Sequence, residues 1–301
     1  MEESPAILAV SYHSIMTTAA MRTTPITADD IDDVAAFLHE HLNNRVPAAA
    51  WRRLLTPPWG ASGPNRGFQL RTSDGLVVGA YAAVYSRRPT PEGDQQICNL
   101  AAFCVQEEHR AAGLKLMMTM LAQKGYTFTD LSPSGNVIAL NERLGFARVD
   151  SPIRLSLHAP APSSRSRRVT ESRAEMAATL RGDDLRLYVD HAEAAAARHI
   201  LITRGEEYAY LIVRRERRKR LPVFATPLYA GGSIRLLQDS WAQVGWYLLR
   251  HHRLLATLAE ERILGFVPRG LTLKRSRPRM VRGNAHALPD YLYSELALVE
   301  W

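Results

Sequence analysis

The residues best placed to do chemistry lie between Asn99 and Met118. An apolar run, Leu100-Ala-Ala-Phe-Cys-Val105, stops at Gln106-Glu-Glu-His-Arg110-Ala-Ala-Gly113-Leu-Lys115, and the apolar pattern resumes at Leu116-Met-Met118. This order predicts a strand, a tight turn carrying an Arg and a Gly, and a helix that begins at once. A helix start presents free main-chain N–H groups and a partial positive charge, and a glycine there lets a pyrophosphate approach closely. The expected chemistry is therefore that of an anion cradle. Further along, Ala139-Leu-Asn-Glu-Arg-Leu-Gly145-Phe146 reads as a helix whose end turns left-handed at Gly145.

These two segments resemble the signatures of the GNAT acyltransferase superfamily. The first is similar to the acyl-CoA motif V-x-P-x-x-R-G-x-G-x-G/A: Val105, Arg110, Gly113 and the helix start at Leu116 fall in register. Glu107 stands in place of Pro, Ala111 in place of Gly and Lys115 in place of the last small residue. The second is similar to the Y-E-K-L-G-F helix end, matched from Glu142 to Phe146. The resemblance covers roughly residues 22–150. It implies an α+β fold, with a mixed, mostly antiparallel sheet flanked by helices, in which the strand ending at Val105 and the strand near Tyr126 to Leu131 splay apart.

The resemblance also implies that Phe103, Cys104 and Val105 contact pantetheine. Arg110, Ala111, Ala112, Gly113, Leu114 and Lys115 would meet the pyrophosphate, and Asn136 lies near a position where the family often has a cofactor-binding Asn. The co-substrate would be acetyl-CoA or another acyl-CoA, with the Val105 N–H polarising the thioester carbonyl. The family's tyrosine, which often reprotonates the departing thiolate, falls at Asn141, and an amide supplies no proton. Another group or water would serve, or this half would bind without turnover. A general base needs a carboxylate, a His or a chain of waters within reach. Asn99, Glu107, Glu108 and His109 are near in sequence, although the last three suit a solvated turn and Asn99 suits local backbone satisfaction.

The elements that must position these groups follow from the rest of the chain. At 301 residues, 46% hydrophobic and 23% charged, there is room for two domains of ordinary soluble composition. No apolar run approaches the roughly 18–20 residues that span a bilayer. Glu2 and Glu3 are the wrong charge for a secretory leader, so the cytoplasm is the expected compartment. The expected division is a disordered tail at 1–21, an acyl-CoA-binding domain at 22–157, a Pro/Ser/Arg-rich linker at 158–170, and a degenerate GNAT-like domain at 171–301 without a cofactor motif.

Within the first domain, Arg22-Thr-Thr-Pro25 is extended. Thr27 and Asp30 suggest a capping box before a helix with Ile31, Val34, Ala35, Leu38 and Leu42 on one face. Trp51, Leu54 and Leu55 suggest a second helix, and Trp51 and Trp59 either line the acceptor pocket or pack. Ser73-Asp74-Gly75 marks a hairpin, with a polar loop expected from Ser86 to Gln96. Cys98 and Cys104, six residues apart on one extended segment, would face the same side about 20 Å apart, too far for a disulfide. They read as small buried hydrophobes, with Cys104 beside the acyl site as an alternative nucleophile.

Arg148 to Leu157 suggests a last strand. Beyond the linker, a helical pattern at Glu171 to Leu180 and a helical or strand-bounded one at Asp190 to His199 precede strands at Tyr208 to Val213 and Leu221 to Thr226. A helix around Trp241 to Leu248 and a strand at Leu254 to Leu258 follow. The run Arg214-Arg-Glu-Arg-Arg-Lys-Arg220, with Lys274 to Arg279 and a net charge of +8, reads as a solvated hairpin tip. Alternatively it is a footprint for nucleic acid or an acidic membrane surface. His251 and His252 have no ligand-spaced partners, so no metal site is expected.

The first functional expectation is acyl transfer from acyl-CoA to an amine or hydroxyl of a small molecule. The alternatives are a Fem-type aminoacyl transferase using charged tRNA and a non-catalytic acyl-CoA-binding scaffold.

Overall fold

Strand-forming stretches of this chain pair into two separate sheets, and helices cover their faces. The computed structural model describes residues 21–60, 63–90, 93–149, 151–162, 164, 166–218, 221–273, 278–283 and 291–300. Residues 1–20 of the tail expected at 1–21 and Lys274 to Arg277 of the second basic run lie outside the described residues, as do Lys219 and Arg220. In chain order the strands are β1 (Arg22–Pro25), β2 (Gly67–Arg71), β3 (Val77–Thr90), β4 (Gly93–Val105), β5 (Tyr126–Asp130), β6 (Ala147–Val149), β7 (Ile153–Leu157), β8 (Arg168–Thr170), β9 (Arg198–Arg204), β10 (Glu207–Arg218), β11 (Leu221–Gly232), β12 (Ala256–Glu260), β13 (Leu271–Leu273) and β14 (Arg279–Arg282). The helices are α1 (Ile31–Phe37), α2 (Ala48–Leu55), α3 (Gly113–Leu121), α4 (Gly135–Arg143), α5 (Arg173–Thr179), α6 (Gly182–His191), α7 (Ile234–Asp239), α8 (Trp241–His252), α9 (Glu261–Leu264) and α10 (Glu295–Leu298). Among the described residues, no helix is long and apolar enough to cross a membrane.

The first sheet runs β1-β2-β3-β4-β5-β14-β6 and the second β13-β7-β12-β11-β10-β9-β8. Each holds the same internal pattern: four consecutive antiparallel strands, then a parallel fifth reached through helices. β4 pairs in parallel with β5, and β11 with β12. The second half thus repeats the topology of the first, so two GNAT-like halves stand side by side. The outer strands are exchanged: β7 docks beside β12 in the second sheet, while β14, from near the end of the chain, docks beside β5 in the first.

This exchange corrects two expectations. Arg148 to Leu157 is not one strand but β6 and β7, in different sheets; Pro152, with no N–H to donate, precedes the switch. The division at 158–170 therefore does not coincide with the division between the sheets. The polar loop expected from Ser86 to Gln96 is instead the paired continuation of β3 and β4, which stay in register out to Thr90 opposite Gly93, and Arg87 forms an ion pair with Asp94. Helix α1 begins at Ile31 with Asp30 as its N-cap and no side-chain cap, so only half of the expected capping box forms: the Thr27 N–H and hydroxyl both donate to Asp30 Oδ2, at 2.8 and 2.7 Å.

A bulge in β4 sets the geometry of the site. Ala82 faces Ala102 and Ala83 faces Leu100, so Ala101 is the extra residue. One inserted residue reverses the inside–outside alternation of everything beyond it. Cys98 consequently packs in the core beneath α3, while Cys104 packs in the core on the opposite face. The expectation that both cysteines face one side fails for this reason. Both are free thiols. The bulge also ends the pairing of β4 with β5 at Asn99 opposite Thr129, so the two strands diverge beyond that point.

In the second half, β11 and β12 pair only at Phe224–Ala256 and Ala225–Thr257. The segment from Tyr291 occupies the place beyond this short β11–β12 pairing. Its Tyr291 N–H donates to the Leu228 carbonyl at 3.3 Å, and its hydroxyl lies 2.6 Å from the Glu260 carboxylate. One continuous apolar core, containing Trp51 and Ala102 from the first half and Tyr210 and Leu228 from the second, joins the two halves.

Gly67 is a backbone position that tolerates no side chain without strain. Its φ is +109°, and a Cβ there would sit 2.0 Å from the Tyr81 carbonyl oxygen. Gly67→Ala is expected to cost about 3 kcal/mol, since it combines a strained φ with overpacking. A lowered denaturant midpoint at unchanged slope would show it; an unchanged midpoint would contradict it.

Candidate active site

The divergence of β4 from β5 opens a cavity of about 520 Å³ at the junction of the halves. Its floor is the bulged segment Leu100, Ala101, Ala102 and Phe103 of β4. Asp130 stands at the end of β5 and Ser132 in the turn that leads to α4. Tyr81 on β3 and Trp51 on α2 close one side, and Asn43 and Arg45 stand at the α1–α2 connection. The second half contributes Arg214, Glu216 and Arg217 from β10 and Thr226 from β11, and Arg279 comes from the exchanged strand β14.

Asp130 is the group here most able to move a proton. Burial, and next the charge of Glu295, push its carboxyl up to about 7, against a hydrogen bond from Asn141. It is therefore partly ionised at neutral pH, where a general base is most useful. Tyr81 lines the same cavity. Burial, with the nearby Asp130 charge, raises its hydroxyl well above the ordinary tyrosine range, so it remains a proton donor. Glu216 is different. Burial opposes its ionisation, but the Thr226 hydroxyl at 2.5 Å and Arg218 at 2.8 Å outweigh that and hold it below the usual range.

Behind the cavity, Glu295 ties the halves together. Its carboxylate accepts the Asn99 amide at 2.5 Å and the Ser132 hydroxyl at 2.6 Å, while the Thr129 hydroxyl donates to Asn99 Oδ1 at 2.9 Å. Burial raises the Glu295 carboxyl above its ordinary value.

The residues singled out in the sequence are distributed as follows. Phe103 lines the cavity; Cys104 and Val105 continue β4 beyond it. Arg110, Ala111 and Ala112 belong to a 3-10 turn, Glu107–Ala112, that runs into α3, where Gly113, Leu114 and Lys115 form the first turn. Gly113 has a helical φ of −60°, so its value is space: a Cβ would meet Phe103 Cζ at 3.3 Å and Val105 Cγ2 at 3.5 Å. Arg110 and Lys115 are exposed on this turn, with Arg110 Nη1 3.7 Å from the Glu107 carboxylate. Asn136 lies in the first turn of α4.

Asn99 is buried and committed to Glu295 and Thr129. Asn141 does not line the cavity; its amide donates to Asp130 Oδ2 at 2.8 Å, so the amide at the family's tyrosine position supports a carboxylate. Trp51 reaches the cavity, whereas Trp59 packs against His191 and Tyr293, with ring centroids 4.7 and 5.0 Å apart.

The basic run is not wholly a solvated tip: Arg217 is exposed and Lys219 and Arg220 lie outside the described residues, but the start of the run is covered. β10 continues through Arg218, Arg214 is only 4% exposed, and Arg215 donates to the His252 carbonyl. Sequence reasoning missed Asp130, Tyr81, Glu295, Arg214 and Arg279 as site residues. The available signal was a lone carboxylate ending or interrupting an apolar stretch, as at Asp130 after Thr127-Phe-Thr and Glu295 between Leu292 and Leu298. Among the described residues, no cluster of three or more His, Cys, Asp or Glu side chains is placed to hold a metal ion.

No protein-family model and no curated protein matches this chain in sequence. Its shape does match solved structures. A GCN5-related N-acetyltransferase from Anabaena variabilis aligns with a TM-score of 0.57 and 12% identity, over 87% of this chain and 72% of that one. One from Kribbella flavida aligns at 0.54 and 16%, over 87% and 70%. A protein described as an acetyltransferase from Pyrococcus horikoshii aligns at 0.52 and 14%, over 97% and 98%, so the likeness extends across both halves. With two repeated sheets, a bulged fourth strand that parts from the fifth, and these neighbours in shape, the chain has the fold of the GNAT superfamily.

Proposed function

We propose that this chain transfers an acyl group, acetyl first, from acyl-CoA to an amine of a small molecule bound in the junction cavity. The observation that carries the reading is the parting of β4 from β5 beside a cavity that holds a carboxyl poised near neutrality. In this reading the pantetheine arm runs along Phe103 to Val105, and the phosphates meet the turn from Arg110 to Lys115. The unpaired β4 backbone orients the thioester and polarises its carbonyl. Asp130 accepts the amine proton, the amine attacks the carbonyl carbon, and the thiolate leaves. Tyr81 lies on the same cavity, where its hydroxyl can donate a hydrogen bond to the departing sulfur, and the proton that Asp130 has taken balances the thiolate. The buried Arg214 argues against a continuous nucleic-acid footprint on β10, and with it against the tRNA-using alternative.

The test is thermal. Acetyl-CoA at 100 times its dissociation constant should stabilise the native state by about 2.7 kcal/mol. Arg110→Glu alters an exposed side chain, so the fold should survive while the acetyl-CoA shift shrinks. No shift in the wild type would end the reading; an equal shift in both proteins would remove the cradle from it.

A further inference from the structure

Arg214 and Arg279 are 4% and 8% exposed, and both line the junction cavity. Neither has a carboxylate within 4.0 Å among the described residues; Glu216, Glu295 and Glu300 act on Arg214 from farther off and do not offset its burial, which is strongly unfavourable for a guanidinium without a close counter-ion. Arg214 has only two long contacts, Nε to the Arg215 carbonyl at 3.4 Å and Nη2 to the Val299 carbonyl at 3.3 Å. Arg279 donates to the Leu131 carbonyl and lies 4.8 Å from the Tyr291 ring centroid; Tyr291, Glu260 and Glu216 offset its burial, and among the described residues its Nε has no partner. The two cations disfavour one another. Glu216, the ionised carboxylate of the cavity, is already engaged by Arg218 and Thr226. Exposed Arg45 and Arg217 add positive charge at the rim.

A cavity built this way is charged for an anion. CoA phosphates do not account for it, because residues 106–115 of the proposed cradle do not line this cavity. We infer that the acceptor is an amine that also carries an oxyanion, carboxylate or phosphate, held by Arg214 and Arg279 while its amino group lies toward Asp130. Planar guanidiniums suit both oxyanions, since each can give two parallel N–H donors. This inference rests on reading the cavity as the acceptor site.

The experiment has two arms. The first compares thiol release from acetyl-CoA for matched acceptors: phenylalanine against phenethylamine, and glucosamine 6-phosphate against glucosamine. The acid-bearing member of at least one pair should show a kcat/KM 10- to 100-fold higher, as expected for a charge-assisted hydrogen bond. Which pair responds separates carboxylate from phosphate. Arg214→Met should remove that preference, bringing the acid-bearing member of the responding pair to the rate of its neutral partner.

The second arm needs no turnover. Inorganic phosphate or acetate, at constant ionic strength set with chloride, should raise the melting temperature of the wild type and not of Arg214→Met. Arg214→Met should itself melt no lower than the wild type, because it removes a buried charge that lacks a close counter-ion. Arg214→Lys keeps the charge and should keep part of the anion response; it serves if the Met variant does not fold. Equal rates for both members of each pair, with no anion response, would overturn the inference and leave acyl transfer standing. An anion response that depends on Arg214, with no thiol release from any amine, would keep the anion site and overturn acyl transfer instead.

Discussion

Replacing Asp130 with Asn is expected to lower kcat/KM for acyl transfer by about 10²–10⁴-fold while acetyl-CoA still binds, because the variant keeps the shape of the cavity and loses its proton acceptor. The wild-type rate should rise with pH through about 7, where burial and the Glu295 charge place the Asp130 carboxyl. The variant should lack that limb. Stability supplies a second readout of the same group. The folded-state value lies above the unfolded value of 3.8, so between roughly 4 and 7 the native protein retains a proton that the unfolded chain has released. Native stability should therefore fall as pH rises through this window, and Asp130→Asn should flatten the fall. Denaturant midpoints at pH 4.5 and 7.5 for the two proteins check it. A variant as active as the wild type would remove Asp130 from the chemistry, whatever the stability profile.

What the sequence made legible was local. The strand–turn–helix from Asn99 to Met118 and the left-handed end at Gly145 depend on neighbouring residues, and the structure has both, Gly145 with a φ of +85°. The bulge at Ala101 was not legible, because Leu100-Ala-Ala-Phe-Cys-Val105 is apolar at every position and shows no break in alternation. Without the bulge, Cys104 is assigned to the wrong face. The exchange of β7 and β14 was hidden for another reason: strands of five and four residues hold little pattern, and their sheet is chosen by partners about a hundred or more positions away.

The candidate site suffered most from this. Asp130, Arg214, Arg279 and Glu295 come from well-separated parts of the chain and meet only where the halves join. The charge run of β10 looked like a surface feature because sequence displays charge without displaying which neighbour covers it. Arg215 and Arg218 have protein partners, and Arg214 turns inward.

Glu295 is where that junction can be tested most sharply. Fully buried, it takes hydrogen bonds from Asn99 on β4 and Ser132 beside β5, so it fastens α10 to the first sheet. Glu295→Ala would leave an amide and a hydroxyl without their acceptor and open a void, a loss of roughly 3–5 kcal/mol read from the denaturant midpoint. Glu295→Gln keeps the volume and one acceptor oxygen, so it should cost less and fold well enough for kinetics. It also removes the like charge that helps raise Asp130. The rising limb of the pH–rate profile should then move to lower pH, whereas a purely structural Glu295 would lower activity without moving the limb. A shifted limb in the Gln variant, together with a stability loss in the Ala variant, would make one carboxylate both the fastening of the halves and the setting of the base. An unmoved limb would confine Glu295 to fastening and leave burial alone to raise Asp130.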